Sequence, residues 1–244
     1  MMLFRIFFIL ITYIISICAT PLKETPLNST DTKTQIEGLK SQIIQKAQSY
    51  QGKGDPNFTI QKELEALVKQ LTLIAPQSPI KDRLKLLYGT WKQVWGPYEY
   101  RKQDRSVNPD IETREIYQVI SSKGHYYNVI PIYKDGDKSQ VKIGLLRCEY
   151  ELDSSPNILK MKFTEYPGVE GRPKDLPIWK LAEIAEAGKL ENPISIVPKT
   201  VVQWFFGGGY LTEIYTDQDL RIFYNSDNIE SKKAYLHVMT RVKP

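Results

Sequence analysis

The chain has 244 residues, 41% of them hydrophobic and 25% charged, with a formal net charge of +5. That length and composition suit one folded domain with a sizeable core and exclude a low-complexity or collagen-like chain. Lysine and arginine are scattered through both halves rather than massed in a stripe, which argues against a nucleic-acid partner.

Arg5 is followed by Ile6–Ala19, 14 residues without a charge. At ~1.5 Å per residue such a helix reaches about 21 Å, short of the ~30 Å hydrocarbon core. Residues 1–19 therefore read as a secretory signal peptide cut after Ala19, with a retained membrane anchor as the alternative. An exported protein, periplasmic or secreted, is expected. Cleavage removes Cys18 and leaves Cys148 alone, so no internal disulfide forms in the mature chain. Residues 20–33, rich in Pro, Ser, Thr and Asn, read as a disordered tether.

Two amphipathic helices follow, over a hairpin region of residues 34–80. Ile36, Leu39, Ile43, Ala47 and Tyr50 recur at steps of three and four, and so do Ile60, Leu64, Leu67, Val68, Leu71 and Ile74. Gly52, Gly54 and Pro56 break the chain between them, and Pro76 and Pro79 close the second. The short link predicts an antiparallel pair.

From residue 81 to 244 the pattern is that of strands. Leu87–Trp95 alternates, which sets Gly89, Trp91, Gln93 and Trp95 on one side. Glu112–Ser121, Tyr126–Tyr133 and Gln140–Leu152 continue the series, with a bulge expected near Gly144 where Leu145 and Leu146 fall side by side. Leu159, Met161 and Phe163 give another inward face. Residues 164–193 interrupt the strands as an insertion, either a lid or a packed surface excursion, with one short helix around Ile178–Lys189. Strands resume at Ile194–Val197, Thr200–Phe206, Tyr210–Thr216, Leu220–Tyr224 and Lys233–Val242, with Gly207-Gly208-Gly209 and Asp217-Gln218-Asp219 as turns. Nine or ten strands with short links predict an antiparallel up-and-down β-barrel.

Catalytic constellations are missing from the sequence. His125 and His237 lie far apart, Cys148 has no activating neighbour in sequence, and no G-x-S-x-G, H-E-x-x-H or paired C-x-x-C motif occurs. The expectation is a protein with no catalytic residues, no metal and no cofactor. Aromatic area is abundant instead. An eight-stranded barrel is just wide enough inside to be filled by side chains or to hold one small ligand.

Gly89-Thr90-Trp91 resembles the G-x-W motif of lipocalins. Taken with the helical prologue, Ile116-Tyr117-Gln118-Val119-Ile120 and the run Tyr210–Ile222 ending in Asp219-Leu220-Arg221-Ile222, the chain resembles the plastid-lipid-associated protein family, the fibrillins, over roughly residues 35–242. It departs from the family at Trp95-Gly96-Pro97-Tyr98 and at Phe223-Tyr224-Asn225, and an export signal stands where a plastid transit peptide is usual. The resemblance implies a mainly β, lipocalin-like antiparallel barrel behind an N-terminal α-helical hairpin, and a site for an apolar ligand.

The expected function is binding of a small hydrophobic molecule, a lipid or isoprenoid, in the barrel cavity, with peripheral membrane contact as a further expectation. Trp95, Tyr117, Tyr127, Phe163, Trp204 and Tyr210 are the candidate ligand residues. Gly89, Trp91, Asp219 and Arg221 are the candidate structural motif, with Trp91 as a floor plug. If Leu220 and Ile222 face inward, Arg221 sits at or outside the wall, and Arg241 is its rival as the partner of Trp91. Two other readings stay open: an enzyme acting on a lipid or isoprenoid through Gln93, Gln118 or Arg221, and a filled barrel that serves as a protein-interaction module.

Overall fold

The computed structural model describes residues 29–50, 55, 57–96, 113–134, 137–196, 208–227 and 234–243. Helices α1 (Ser29–Tyr50) and α2 (Thr59–Ile74) form where the apolar spacing predicts them. α1 begins inside the stretch expected as tether, whose residues 20–28 lie outside the described ones. A third helix, α3 (Ile80–Leu87), was not expected. Its eight residues give only two turns, too few for a period of 3.6 to stand out in the sequence.

Ten strands follow among the described residues: β1 (Gly89–Trp95), β2 (Tyr117–Ile120), β3 (His125–Lys134), β4 (Asp137–Leu152), β5 (Ile158–Glu165), β6 (Pro167–Glu170), β7 (Ile194–Ser195), β8 (Gly208–Thr216), β9 (Leu220–Ser226) and β10 (Tyr235–Arg241). Eight of them close a ring in the order β3-β2-β1-β10-β9-β8-β5-β4, sealed by β3 against β4, and every pair is antiparallel. The fold is thus a closed eight-stranded antiparallel β-barrel behind packed N-terminal helices. β6 runs on after β5 along the first half of β4, and β7 pairs with β6. The expected strand Thr200–Phe206 lies outside the described residues.

Both faces of the wall are covered. Ile43 and Ala47 of α1 and Leu64, Val68 and Leu71 of α2 pack on the outward side chains of β1, β8, β9 and β10. The side chain of Gln61 on α2 ties this layer to β10, donating to the carbonyl of Ala234 at 3.2 Å and accepting from the amide of Leu236 at 3.2 Å. On the other side a short helix, α4 (Lys180–Glu186), sets Leu181 and Ala182 against Val119, Val129, Ile143 and Leu145. The insertion is therefore packed on the outer wall. Inside the ring, Leu87, Trp91, Leu159, Met161, Phe223 and Met239 belong to a separate cluster, into which α3 also sends Ile80.

Two local features decide which side chains face where. In β1 the pairing with β10 slips between Gln93 and Trp95, so that Gln93 opposes Met239 while Trp95 opposes Val238. This bulge makes Val94 the extra residue and turns Trp95 to the outer face, against the simple alternation. In β4 the bulge expected at Gly144 is not found: pairing with β3 runs unbroken from His125↔Glu149 to Tyr133↔Val141, and the slip lies at Arg147/Cys148 against β5. Ile143 and Leu145 face α4 while Leu146 faces the interior, so both faces are apolar and the alternation is hidden. The triplet read as a turn is also strand in part. Gly208 opens β8, and a Cβ there would stand 2.4 Å from the carbonyl oxygen of Met161.

Candidate functional site

The end of the barrel from which β1 departs is closed. Trp91 is fully buried and its Nε1 donates to the carbonyl of Leu87 at 2.8 Å. The guanidinium of Arg241 lies 4.0 Å from the centroid of the Trp91 ring and donates to the carbonyls of Tyr88 (2.8 Å), Gln218 (2.5 Å) and Leu86. Gly89 is needed there, since its φ is +117° and a Cβ would meet Arg241 Nη1 at 2.9 Å. The turn from β8 to β9 is organised by Asp217 rather than Asp219. The Asp217 carboxylate accepts the amides of Asp219 and Leu220, each at 2.8 Å, and pairs with the buried Lys40 of α1 at 2.7 Å. Burial opposes the charge, but Lys40 and the amides together hold this carboxyl below its ordinary pKa. Asp219 gives the turn its carbonyl, which accepts the Arg241 amide at 2.9 Å.

Above this floor lies a buried polar layer. Leu220 and Ile222 face outward under the helices, so Arg221 faces inward, the reverse of the orientation expected. Arg221 is 0% exposed and donates to Glu213 through Nη2 (2.5 Å) and Nε (3.1 Å), and to Gln118 Oε1 at 2.8 Å. Thr216 Oγ1 donates to Glu213 at 3.2 Å, and Gln118 Nε2 donates to Asn128 Oδ1 at 3.2 Å. Each charge has several partners, the condition under which a buried ion pair is tolerated.

Next along the axis is a cavity of about 360 Å³. Asn128 of β3, Gln118 of β2, Gln93 of β1, His237 of β10 and Asn225 of β9 give one side of the lining a polar arc, in which Ile116, Tyr126 and Phe223 also stand. Leu211 of β8, Met161 and Phe163 of β5, Leu146 of β4 and Ile130 of β3 form the apolar arc that completes the ring. The cavity extends to the end of the barrel where Gly208, Asp227 and Tyr235 stand.

His237 is its most unusual member. The residue is 5% exposed, and neither ring nitrogen has a hydrogen-bond partner. Its ring stacks on Phe223 with centroids 4.4 Å apart and planes at 12°, and the Arg221 guanidinium lies 4.2 Å from the same Phe223 ring. Burial, and secondarily the charge of Arg221, lower its pKa to about 3, so the imidazole is uncharged at neutral pH. The second histidine has a different task. His125 Nδ1 lies 2.8 Å from Glu186, Tyr127 donates to the same carboxylate at 2.8 Å, and Arg147 Nη2 lies 2.8 Å from His125 Nε2. That cluster clamps α4 to the outer wall.

The candidate ligand residues scatter accordingly. Phe163 is on the cavity wall. Trp95 is under α1 and α2, Tyr127 and Tyr117 pack in the cluster beneath α4, and Tyr210 alternates with the lining residues Gly209 and Leu211 and so points away. Trp204 lies outside the described residues. Of the polar arc, Gln93 and Gln118 are expected from the sequence as polar groups of the cavity, and Asn128, Asn225 and His237 are not. Its members alternate with outward apolar residues, as His237 does with Leu236 and Val238, and that is the signal a search limited to aromatics passes over. Cys148 is buried among the interior residues, and burial pushes its thiol pKa up. Among the described residues no group of three or more His, Cys, Asp or Glu side chains is placed to hold a metal ion. No family model, no curated protein and no solved structure matches the chain.

Proposed function

We propose that this protein binds a small hydrophobic molecule, of lipid or isoprenoid type, inside its barrel. The observation that carries the reading is the cavity of about 360 Å³ between the buried polar layer and the far end of the ring. Its volume falls at the lower end of the range for small-molecule pockets, ~300–1,000 Å³. An apolar arc for burial, worth about 25 cal/mol per Å², faces a polar arc for orientation, which is the division of labour such pockets use. The helical prologue and the Asp219-Leu220-Arg221-Ile222 run support kinship with the plastid-lipid-associated proteins, and the amino-terminal segment supports export.

The test is to purify the protein from its native host, extract it with organic solvent and identify bound small molecules by mass spectrometry. One compound recovered repeatedly from the native chain, and lost from a Leu146→Trp variant whose indole fills the cavity, is the expected result. Repeated recovery of nothing overturns the reading.

A further inference from the structure

We infer that Asn128 holds the polar group of the bound molecule through its side-chain N–H donors, and that this group is an uncharged hydrogen-bond acceptor, such as a ketone or ester oxygen, on an otherwise apolar body. The inference rests on the binding reading above and narrows it to a ligand class. It starts from Arg221, whose guanidinium can only donate. Its Nη1 donates to Gln118 Oε1 at 2.8 Å, which fixes the orientation of the Gln118 amide. Gln118 Nε2 is then a donor 3.2 Å from the Asn128 amide, so the atom it meets must be Oδ1. Burial pushes the Tyr126 phenol pKa up, so the hydroxyl keeps its proton, and it donates to the same Oδ1 at 3.3 Å. One direction of donation thus runs from Arg221 through two amides and ends with Nδ2 of Asn128.

Nδ2 is open to the cavity. Asn128 lines it and is half-buried, whereas its neighbours in β3, Tyr127 and Val129, are 3% and 0% exposed and pack outward beneath α4. The accessible surface of Asn128 therefore lies inside the ring. Its Nδ2 has no hydrogen-bond partner among the described residues, yet it is not one of the buried side-chain atoms left without one, so it is reached from the cavity. Two N–H donors on an amide whose orientation is already fixed call for an acceptor. A hydrocarbon that displaces solvent from them gives nothing back.

Charge narrows the acceptor to a neutral one. Arg221 is 0% exposed and is committed to Glu213 and Gln118. Arg83, the other guanidinium that meets Glu213, donates to the carbonyls of Ser78 and Glu213 and does not line the cavity. The charged side chain among the described lining residues is Asp227, of the same sign as a carboxylate. An anionic head would be desolvated without a facing counter-charge, a heavy penalty.

The probes are geranylacetone, the hydrocarbon in which its carbonyl is a methylene group, and a carboxylic acid of the same chain length. Affinities for the full chain at neutral pH are measured by equilibrium dialysis, and the carbonyl stretch of the bound ketone by isotope-edited infrared spectroscopy. The stretch is expected below its position in hexane, because a carbonyl that accepts a hydrogen bond is weakened, and the acid is expected to bind about tenfold or more below the ketone. Asn128→Asp keeps an oxygen for Gln118 and Tyr126 and gives up only the N–H donors. In it the stretch is expected to return toward the hexane value, and the ketone-to-hydrocarbon affinity ratio to fall about tenfold, the size of one hydrogen bond. A stretch at the hexane position in the native chain overturns this inference, leaves the binding reading standing and needs no variant to fold. A shift and a ratio that survive Asn128→Asp overturn the role of Asn128 in the same way, and an acid that binds as tightly as the ketone overturns the neutral class. No saturable binding of any probe removes the binding reading and the inference together.

Discussion

On its outer face the barrel wall carries Trp95, Leu220, Ile222, Leu236 and Val238 under α1 and α2, and Val129, Ile143 and Leu145 under α4. On its inner face it carries Arg221, Glu213, Gln118, Asn128 and His237 among the apolar residues. A hydrophobic core is usually sought inside a small barrel. Here much of the dry packing lies outside the ring, between wall and helices, and the interior holds a buried ion pair, hydrogen bonds and a cavity beside an apolar cluster of its own. The difference assigns different work to the two faces. The outer clusters supply apolar burial, roughly proportional to area. The inner layer supplies little net stability, because desolvation offsets much of the attraction between charges, but it fixes the shape and polarity of the space above it.

Removing one member of the inner pair should produce the largest effect. Glu213→Ala strands the Arg221 guanidinium at 0% exposure, and urea denaturation is expected to show a loss of about 3–5 kcal/mol. The double replacement Arg221→Met with Glu213→Leu is expected to cost far less, since no charge is then buried alone. A double variant as unstable as the single one would mean that the inner layer contributes net stability after all, and the contrast between the faces would fail.

The outer face should respond to area and to nothing else. Trp95→Leu keeps an apolar group but gives up part of the indole surface, with an expected cost of about 2 kcal/mol. Recovery of the bound hydrophobic molecule from the native host should not change, because Trp95 faces the helices rather than the cavity. A changed affinity at constant fold would place Trp95 back among the ligand residues.

Much of the fold was legible because its signals are local. The two long helices declare themselves through apolar residues at steps of three and four, and most strands through a period of two. What failed was orientation, and each failure has a physical source. Trp95 shares its parity with Trp91, and only the bulge at Val94 separates them, a one-residue event that alternation cannot register. Leu220 and Ile222 are apolar, which favours an inward orientation, but a wall covered by helices makes the outside equally dry. The same ambiguity put Tyr117 and Tyr127 in the cavity. The site itself was legible in its scaffold and, of its lining, at Phe163, Gln93 and Gln118. Gly89 and Trp91 meet Arg241, the rival of Arg221 as partner of the indole, whereas the unpartnered nitrogens of His237 depend on which groups the other strands fail to bring near them, and a single sequence does not carry that information.

The effect that isolates His237 is a slope with pH. Its folded pKa is lowered from 6.5 to about 3 by burial and by the charge of Arg221, so the folded chain binds fewer protons than the unfolded chain between those two values. Stability from this group is fully present above pH 6.5 and is lost as pH falls toward 3, at about 1.4 kcal/mol per pH unit inside that window. Other carboxylates add acid sensitivity of the same sign: the Asp217 and Glu186 pKa values are also lowered in the folded chain. The useful quantity is therefore a difference. The stability of the native chain minus that of His237→Phe, measured by denaturation at several pH values, should be nearly flat above pH 6.5 and should decline below it. Above that pH the variant is expected to equal or exceed the native chain by about 1–3 kcal/mol, because two unpartnered nitrogens have left the interior. A difference without slope would mean that His237 takes up a proton in the folded state as readily as in the unfolded one. A neutral His237 buried on the inner face would then be untenable, and the contrast between the two faces of the wall would lose its sharpest marker.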